Sequence, residues 1–408
     1  MDAVSTKGFQ YTRRVILYLA VLCTLLHGVA QRGAKMLASL NALSLGASSL
    51  EVGLLAALFP VFPLLLAVYA GKVGDRIGVK RPMVWGSALN GVALLVPLAW
   101  HGMGGIFAAA FLFGFGHIFF HVSAHSLVGS YGDGEARVRN FATFSLGASL
   151  SAFFGPALTG FSIDALGFAP TYALLAGVGV LPGLILTLFP RIVPPHRKPK
   201  ARESGGSLEL LSNADLRRTL VMSGVTLTGI ELFTFYFPVY GRSIGLTAST
   251  IGIVMSSYAV AAFIVRTGMT RATRTMGEAA VLTASLLMAG ATYMLVPLVS
   301  HAALLAVVAF LLGIGLGCAQ PLTIILTYNH APKGRSGEAL GMRLTVNKLT
   351  QILVPLVFGA MGSAFGLIPV FWANGLFLLG GGVVSLAERK IAIKSGSAPI
   401  TGPQEEEK

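Results

Sequence analysis

Six ionisable side chains, Arg32, Lys35, Glu231, Arg266, Arg343 and Lys348, lie inside long apolar runs, with Glu51 and Glu338 near the ends of two others. A charge in hydrocarbon costs at least a few kcal/mol, so such groups are expected to face a cavity and carry function. Five cations oppose one acid, which is the composition of a site lacking its anion. The expected ligand therefore carries a carboxylate or similar negative group.

Spacing gathers these groups into stripes. His27, Gln31 and Lys35 recur every fourth residue on one helical face, with Arg32 about 60° away at about 100° per residue. Arg343, Asn347 and Gln351 make a second stripe beside Lys348, and His117, His121 and His125 make a third. His117 and His121 have a spacing that suits a metal, but no carboxylate or cysteine lies near them in sequence, so they are read as cavity-lining and no metal is expected. Arg266 lies within a turn of a helix end and is expected to snorkel, and His125 to reach the interface. Phe233, Phe235, Tyr236 and Tyr240, with Phe119 and Phe120, could form an aromatic wall. Glu231 is the sole acid near the middle of a run and overlays near His27 in the other half of the chain; this pair is the candidate for proton coupling, the alternative being that Glu231 neutralises an arginine.

The elements that must position these residues are membrane helices. Apolar residues make up 54% of the chain and charged residues 11%, with mean hydropathy +0.75, whereas soluble domains carry about 25% charge. About 20 apolar residues cross a bilayer. Twelve spans are expected, at Val15–Leu43, Leu50–Ala70, Met83–Trp100, Gly105–Val128, Phe141–Ile163, Thr171–Phe189, Thr219–Tyr240, Thr250–Met269, Ala279–Leu298, Ala302–Tyr328, Glu338–Ala364 and Pro369–Ala387. The basic start (Lys7, Arg13, Arg14) resembles a signal peptide, but its apolar run is too long and lacks a cleavage site, so it reads as the first span. Cys23 and Cys318 both fall inside spans and read as packing residues.

Net charge is +14, and the placement of the 30 Lys and Arg residues explains it. With both ends inside, 24 lie in the tails and even-numbered connections, Arg242 alone in an odd-numbered one, and five in spans. This is the positive-inside asymmetry, which places both termini in the cytoplasm and removes the need for a nucleic-acid partner.

The halves overlay with a shift of 199 residues: Gly46 and Gly53 on Gly245 and Gly252, Gly78 on Gly277, Phe111-Leu112 on Phe310-Leu311, Gly114 and Gly116 on Gly313 and Gly315, Pro156 on Pro355, Gly160 on Gly359, and Pro170 on Pro369. The expected organisation is an all-α membrane protein of two six-helix bundles, residues 1–189 and 219–390, related by a parallel internal repeat. Residues 190–218, polar and rich in Pro and basic residues, read as a cytoplasmic linker with a short surface helix around Leu208–Leu216, and 391–408 as a disordered tail.

After the second span the chain reads Gly71-Lys72-Val73-Gly74-Asp75-Arg76-Ile77-Gly78-Val79-Lys80-Arg81. This resembles the cytoplasmic loop signature of the major facilitator superfamily. The resemblance implies a twelve-helix transporter working by alternating access, with spans 1, 4, 7 and 10 central and 2, 5, 8 and 11 bordering the cavity. It assigns gating to Gly71, Asp75, Arg76, Gly78, Lys80 and Arg81, with Asp75 pairing with a cation or capping the neighbouring helix end. The second copy keeps Gly277 but has Arg274 in place of Asp75; a plain turn would need only Gly78 and Gly277. In the fifth span, Ser151-Ala152-Phe153-Phe154-Gly155-Pro156-Ala157-Leu158-Thr159-Gly160 is similar to the antiporter motif of that superfamily's drug exporters, with Ser151 and Thr159 where glycines are usual; helix packing around a proline bend accounts for it equally.

The expected function is proton-coupled transport of a small organic anion across the inner membrane, by a monomer without cofactors. Substrate contacts are expected from Arg32, Lys35, Gln31, His117, His121, Gln320, Arg343, Asn347, Lys348 and Gln351, and proton coupling from Glu231 and His27. The competing transport reading is a drug–proton antiporter, favoured by the fifth-span motif and opposed by the five cations. A membrane enzyme lacks a nucleophile elbow, phosphate loop or metal cluster in the sequence, and a sensor lacks room for a soluble domain. A reporter fused after Lys200 is expected to be cytoplasmic and one fused after Gly46 periplasmic; either reporter on the opposite side overturns the twelve-span topology.

Overall fold

The computed structural model describes residues 3–129, 135–189, 207–332 and 335–394. Among them are twelve long helices and no strand: α1 (Ala3–Ser44), α2 (Ser49–Ile77), α3 (Lys80–Ala99), α4 (Met103–Gly129), α5 (Glu135–Leu166), α6 (Phe168–Leu188), α7 (Ala214–Ser243), α8 (Ala248–Met276), α9 (Glu278–Leu295), α10 (Ala302–His330, interrupted at Cys318), α11 (Ser336–Phe365) and α12 (Leu367–Lys394). Eleven are long and apolar enough to cross a membrane by composition alone. The twelfth long helix is α1, which carries His27, Gln31, Arg32 and Lys35. Helices are the expected solution, because lipid offers no partner to a backbone N–H or C=O.

Most helices outrun the apolar spans. Hydropathy falls at the lipid boundary, but the i to i−4 hydrogen bonds continue into water. The consequence for the signature segment is a correction: Gly71–Ile77 forms the last turns of α2, Lys80 and Arg81 open α3, and only Gly78 and Val79 lie between. The N-cap of α3 is Val79, whose side chain makes no capping hydrogen bond. The expected surface helix at Leu208–Leu216 is instead a 3-10 turn, Ser207–Ser212, whose Leu210 is buried with Leu216, Leu220 and Ala339. The expected tail begins later, because α12 continues through Lys394; residues 395–408 and most of the expected linker, 190–206, lie outside the described residues.

The duplication is visible in backbone geometry. Gly46 and Gly245, Gly78 and Gly277, and Gly167 and Gly366 all have φ between 82° and 87°, a left-handed region that a residue with a Cβ resists, and each pair is one repeat apart. Small residues likewise set the helix contacts that lipid does not drive. A methyl on Gly91 would collide with Val180 and crowd the Ala176 carbonyl, and one on Gly290 would meet Leu379 and the Gly375 carbonyl, the same α3–α6 and α9–α12 contact one repeat apart.

By contact density the chain forms two compact units. The first contains residues up to Ser204 together with Glu231–Ala259 and Lys348–Leu367; the second contains Gly205–Ile230, Val260–Asn347 and the segment from Ile368. Within the second, the break in α10 has a local cause. Pro321 has no N–H to give the Gly317 carbonyl, and the Arg266 Nε donates to that oxygen at 2.9 Å. Cys318, the C-cap of the first piece, points its Sγ at the Val265 carbonyl, 3.4 Å away. Arg266 is thus more than a snorkelling side chain: it completes a broken helix. Replacing it with Met is expected to lower stability in detergent by about 1–3 kcal/mol, the cost of an orphaned buried carbonyl, read as a drop in the unfolding midpoint; an unchanged midpoint refutes the role.

Candidate functional site

In the first unit, two polar networks occupy the middle of α1. The upper one is built of imidazoles and amides. Asn90 of α3, fully buried, places its Nδ2 3.4 Å from His27 Nδ1. His27 Nε2 lies 2.8 Å from His117 Nδ1, and His117 Nε2 is met by the Gln31 amide at 3.2 Å. With Asn90 donating, His27 carries its proton on Nε2 and donates to His117 Nδ1, which leaves the His117 proton on Nε2, where the Gln31 amide must turn its oxygen to accept it. Phe120 stacks on His27 with ring centres 3.9 Å apart. His121 and His125 continue the stripe but are exposed, and His125 Nδ1 lies 2.9 Å from the His121 carbonyl.

One turn along α1, the second network is charged. Lys35 Nζ is 3.6 Å from Glu231 Oε2, with side chains 15% and 6% exposed. Gln351 of α11 donates through Nε2 to Glu231 Oε1 at 2.9 Å and accepts from Lys348 Nζ through Oε1 at 2.9 Å. Lys35 also lies over the face of Phe235, 4.9 Å from its centre, a cation–π contact. Two ammonium groups and one carboxylate are therefore joined by a single amide.

Other expected contacts go elsewhere. Arg32 turns to α5, where its Nε donates to Ser151 Oγ at 3.3 Å and its Nη2 reaches the Ala148 carbonyl at 3.5 Å. Ser151 is a departure from the antiporter pattern, and here its hydroxyl serves the arginine. In the second unit, Arg343 is buried and donates to Gln320 Oε1 at 2.6 Å and to Thr323 Oγ1 at 2.8 Å, while Asn347 Oδ1 accepts from Ser223 at 2.8 Å. His27 and Glu231, expected as a pair, belong to different networks. The aromatic wall reduces to Phe235 and Phe120: Tyr236 is buried, its hydroxyl donating to the Pro355 carbonyl at 2.7 Å, and Phe233 stacks on Phe237. Asp75 is exposed, and no ion pair to it is present among the described residues.

Asn90 carries no charge and belongs to no stripe, and its one signal in the sequence is a lone amide in the middle of the third span. Thr323 and Ser223 gave none, since hydroxyls are common in membrane helices and bond their own backbone.

The model of the Major Facilitator Superfamily matches residues 20–247 and 219–402. The chain belongs to the Major Facilitator Superfamily. It is accordingly a multi-pass membrane transporter. An uncharacterized MFS-type transporter of Methanocaldococcus jannaschii is 19% identical over 352 residues, covering 85% of this chain and 91% of the relative. Among solved structures, a POT family transporter in complex with a thioalcohol-conjugated peptide superposes with a TM-score of 0.77 at 13% identity, covering 92% of this chain and 96% of its own. A bacterial homolog of the human lysosomal transporter Spinster, in an inward-facing unoccupied conformation, gives 0.75 at 15% identity, covering 94% and 98%. These likenesses establish the fold.

In this MFS protein the Lys35–Glu231 pair is a buried ion pair, for which loss of one partner costs about 3–5 kcal/mol because the other charge is stranded. Lys35→Ala is expected to lower stability by about 3 kcal/mol and Lys35→Ala/Glu231→Gln to recover most of it, measured by chemical unfolding in detergent. A double variant no more stable than Lys35→Ala would show that the two charges do not depend on each other.

Proposed function

We propose that this MFS protein is a secondary transporter of a small organic anion, coupled to protons. The observation that carries the reading is the Lys35–Glu231–Gln351–Lys348 network, two cations sharing one carboxylate. A substrate carboxylate would supply the missing negative charge, taking Lys348 directly or Lys35 from Glu231, with Gln351 and Gln31 as flanking polar partners. Glu231, when protonated, would release Lys35 to the substrate, and this exchange would link proton and anion in the same step. The His27–His117 chain stands one turn away and would relay a proton by taking it on one ring nitrogen as a transient imidazolium and releasing one from the other. Arg32, His121, Arg343, Asn347 and Gln320 remain proposed substrate contacts, each in an empty carrier held by protein partners or exposed. A fold neighbour of the POT family solved with 5-aminolevulinic acid agrees with a small, charged solute.

The proposed setting is the inner membrane with both termini cytoplasmic, where Gly71, Asp75, Arg76, Gly78, Lys80 and Arg81 would form an inner gate. The proposed bundles span 1–189 and 219–390. Drug–proton antiport is the second reading, favoured by Gly155, Pro156 and Gly160 in α5.

The test is uptake into proteoliposomes with a panel of carboxylates and lipophilic cations, with and without a pH gradient. Carboxylate uptake should be driven by the gradient and fall by at least about tenfold in Lys35→Gln and Lys348→Gln, a loss on the scale of one charged hydrogen bond. Glu231→Gln should retain downhill exchange and lose accumulation. Asp75→Asn should depress turnover with affinity within a few fold, since a gate shifts populations and not contacts. Uptake of lipophilic cations in place of carboxylates would establish the antiporter reading instead.

A further inference from the structure

At the end of the first unit where α1 meets α2, the two repeats cap each other's helices. The first turn of any helix leaves N–H groups without internal partners. In α2, Ser48 and Glu51 form a capping box, Ser48 Oγ accepting from the Glu51 N–H at 3.3 Å and Glu51 accepting from the Ser48 N–H at 2.7 Å. One repeat later Thr247 does the same for α8, its Oγ1 accepting from the Thr250 N–H at 3.3 Å. Further donors of each first turn go to the other repeat. The Asp164 carboxylate at the end of α5 accepts from the N–H groups of Ala248 and Ser249 of α8, at 3.1 and 2.7 Å. Ser363 at the end of α11 accepts through Oγ from the Leu50 N–H of α2, at 2.9 Å. Asp164 and Ser363 are 199 residues apart, so they occupy the same place in the two copies.

Beneath each cap the helices touch backbone to backbone. A methyl on Gly53 would collide with the Pro355 carbonyl, and one on Gly252 would crowd the Pro156 carbonyl; Gly160 faces the Ala248 carbonyl and Gly359 the Ser49 carbonyl. Every one of these contacts has its repeat counterpart. Pro156 and Gly160, which resembled an exporter motif, thus serve the α5–α8 seam, and Pro355 and Gly359 the α2–α11 seam.

Each seam also holds one hydroxyl without a repeat counterpart. Ser256 Oγ donates to the Phe153 carbonyl at 2.8 Å across α5–α8, and the Tyr236 hydroxyl of α7 reaches the Pro355 and Ser49 carbonyls at 2.7 and 3.3 Å across α2–α11. With one such proton on either side, the difference between the seams lies in the capping atoms. A carboxylate bound to two N–H groups at a helix N-terminus benefits from charge assistance and from the helix dipole, and such bonds are roughly twice as strong as neutral ones. Ser363 makes one neutral bond. Alternating access requires this end to open, and opening must break both caps. We propose that Asp164 and Ser363 are the paired latches of this end, with Asp164 the dominant one, so that the α2–α11 seam yields before the α5–α8 seam. The assignment rests on geometry and on transport by alternating access, not on the nature of the solute.

Distances between spin labels test it without a substrate. In a Cys23→Ala, Cys318→Ala background, labels at Leu166→Cys and Arg242→Cys report the α5–α8 seam, and labels at Leu45→Cys and Phe365→Cys the α2–α11 seam; all four side chains are exposed. Asp164→Ala should raise the separated population at the first pair by about fivefold, the effect of losing a good cap, and Ser363→Ala at the second pair by about twofold. Asp164→Asn keeps one acceptor oxygen and should fall between natural protein and Asp164→Ala; it decides the matter alone if Asp164→Ala does not fold. Unchanged distances in the Asp164 variants overturn the latch, and a larger opening from Ser363→Ala than from Asp164→Ala overturns its asymmetry.

Discussion

Hydrocarbon supplies no hydrogen-bond partner, so each polar group placed in this protein's interior must find one within the protein. That requirement accounts for its features better than any attraction between helices. It drives the chain into helices, it leaves the Gly317 carbonyl in need of the Arg266 guanidinium where Pro321 withholds an N–H, and it ties Lys35, Glu231, Gln351 and Lys348 into one network. Between two lysines and one glutamate the same requirement is met by the Gln351 amide, which bonds Glu231 on one side and Lys348 on the other.

How much could be read from the chain itself follows from the range of each interaction. Hydropathy located twelve spans and the repeat, because both are written in neighbouring residues or in a constant offset. It placed their ends too early, since the lipid boundary and the last helical hydrogen bond are different places. The signature segment therefore looked like a loop, although Gly71–Ile77 is helical. The stripe on α1 was legible from spacing, and with it the candidacy of His27, Gln31 and Lys35.

Pairing was not legible. Lys35 and Glu231 are far apart in sequence, and nothing local states that one will choose the other while Arg32, three residues away, turns to Ser151. The direction of a side chain depends on which helix lies beside it, and that is decided by small residues such as Gly91 and Gly290 at distant crossings. Single hydroxyls and amides are worse still: Asn90 and Thr323 look like any other polar residue in a membrane helix until their partners are seen.

The polar chain of Asn90, His27 and His117 has counterparts one repeat later in Ala289, Thr226 and Leu316, where Ala289 packs on Gly315 and Leu316 lies against Gly229. An ancestor made of two identical copies would have carried this polar chain twice or not at all. The two halves have therefore diverged: one keeps a buried polar chain, and its sister fills the same places with Ala289, Thr226 and Leu316. Divergence of that kind lets substitutions in the second half retune packing without touching the polar chain of the first, which is the freedom a duplicated gene gains and a symmetric dimer never has.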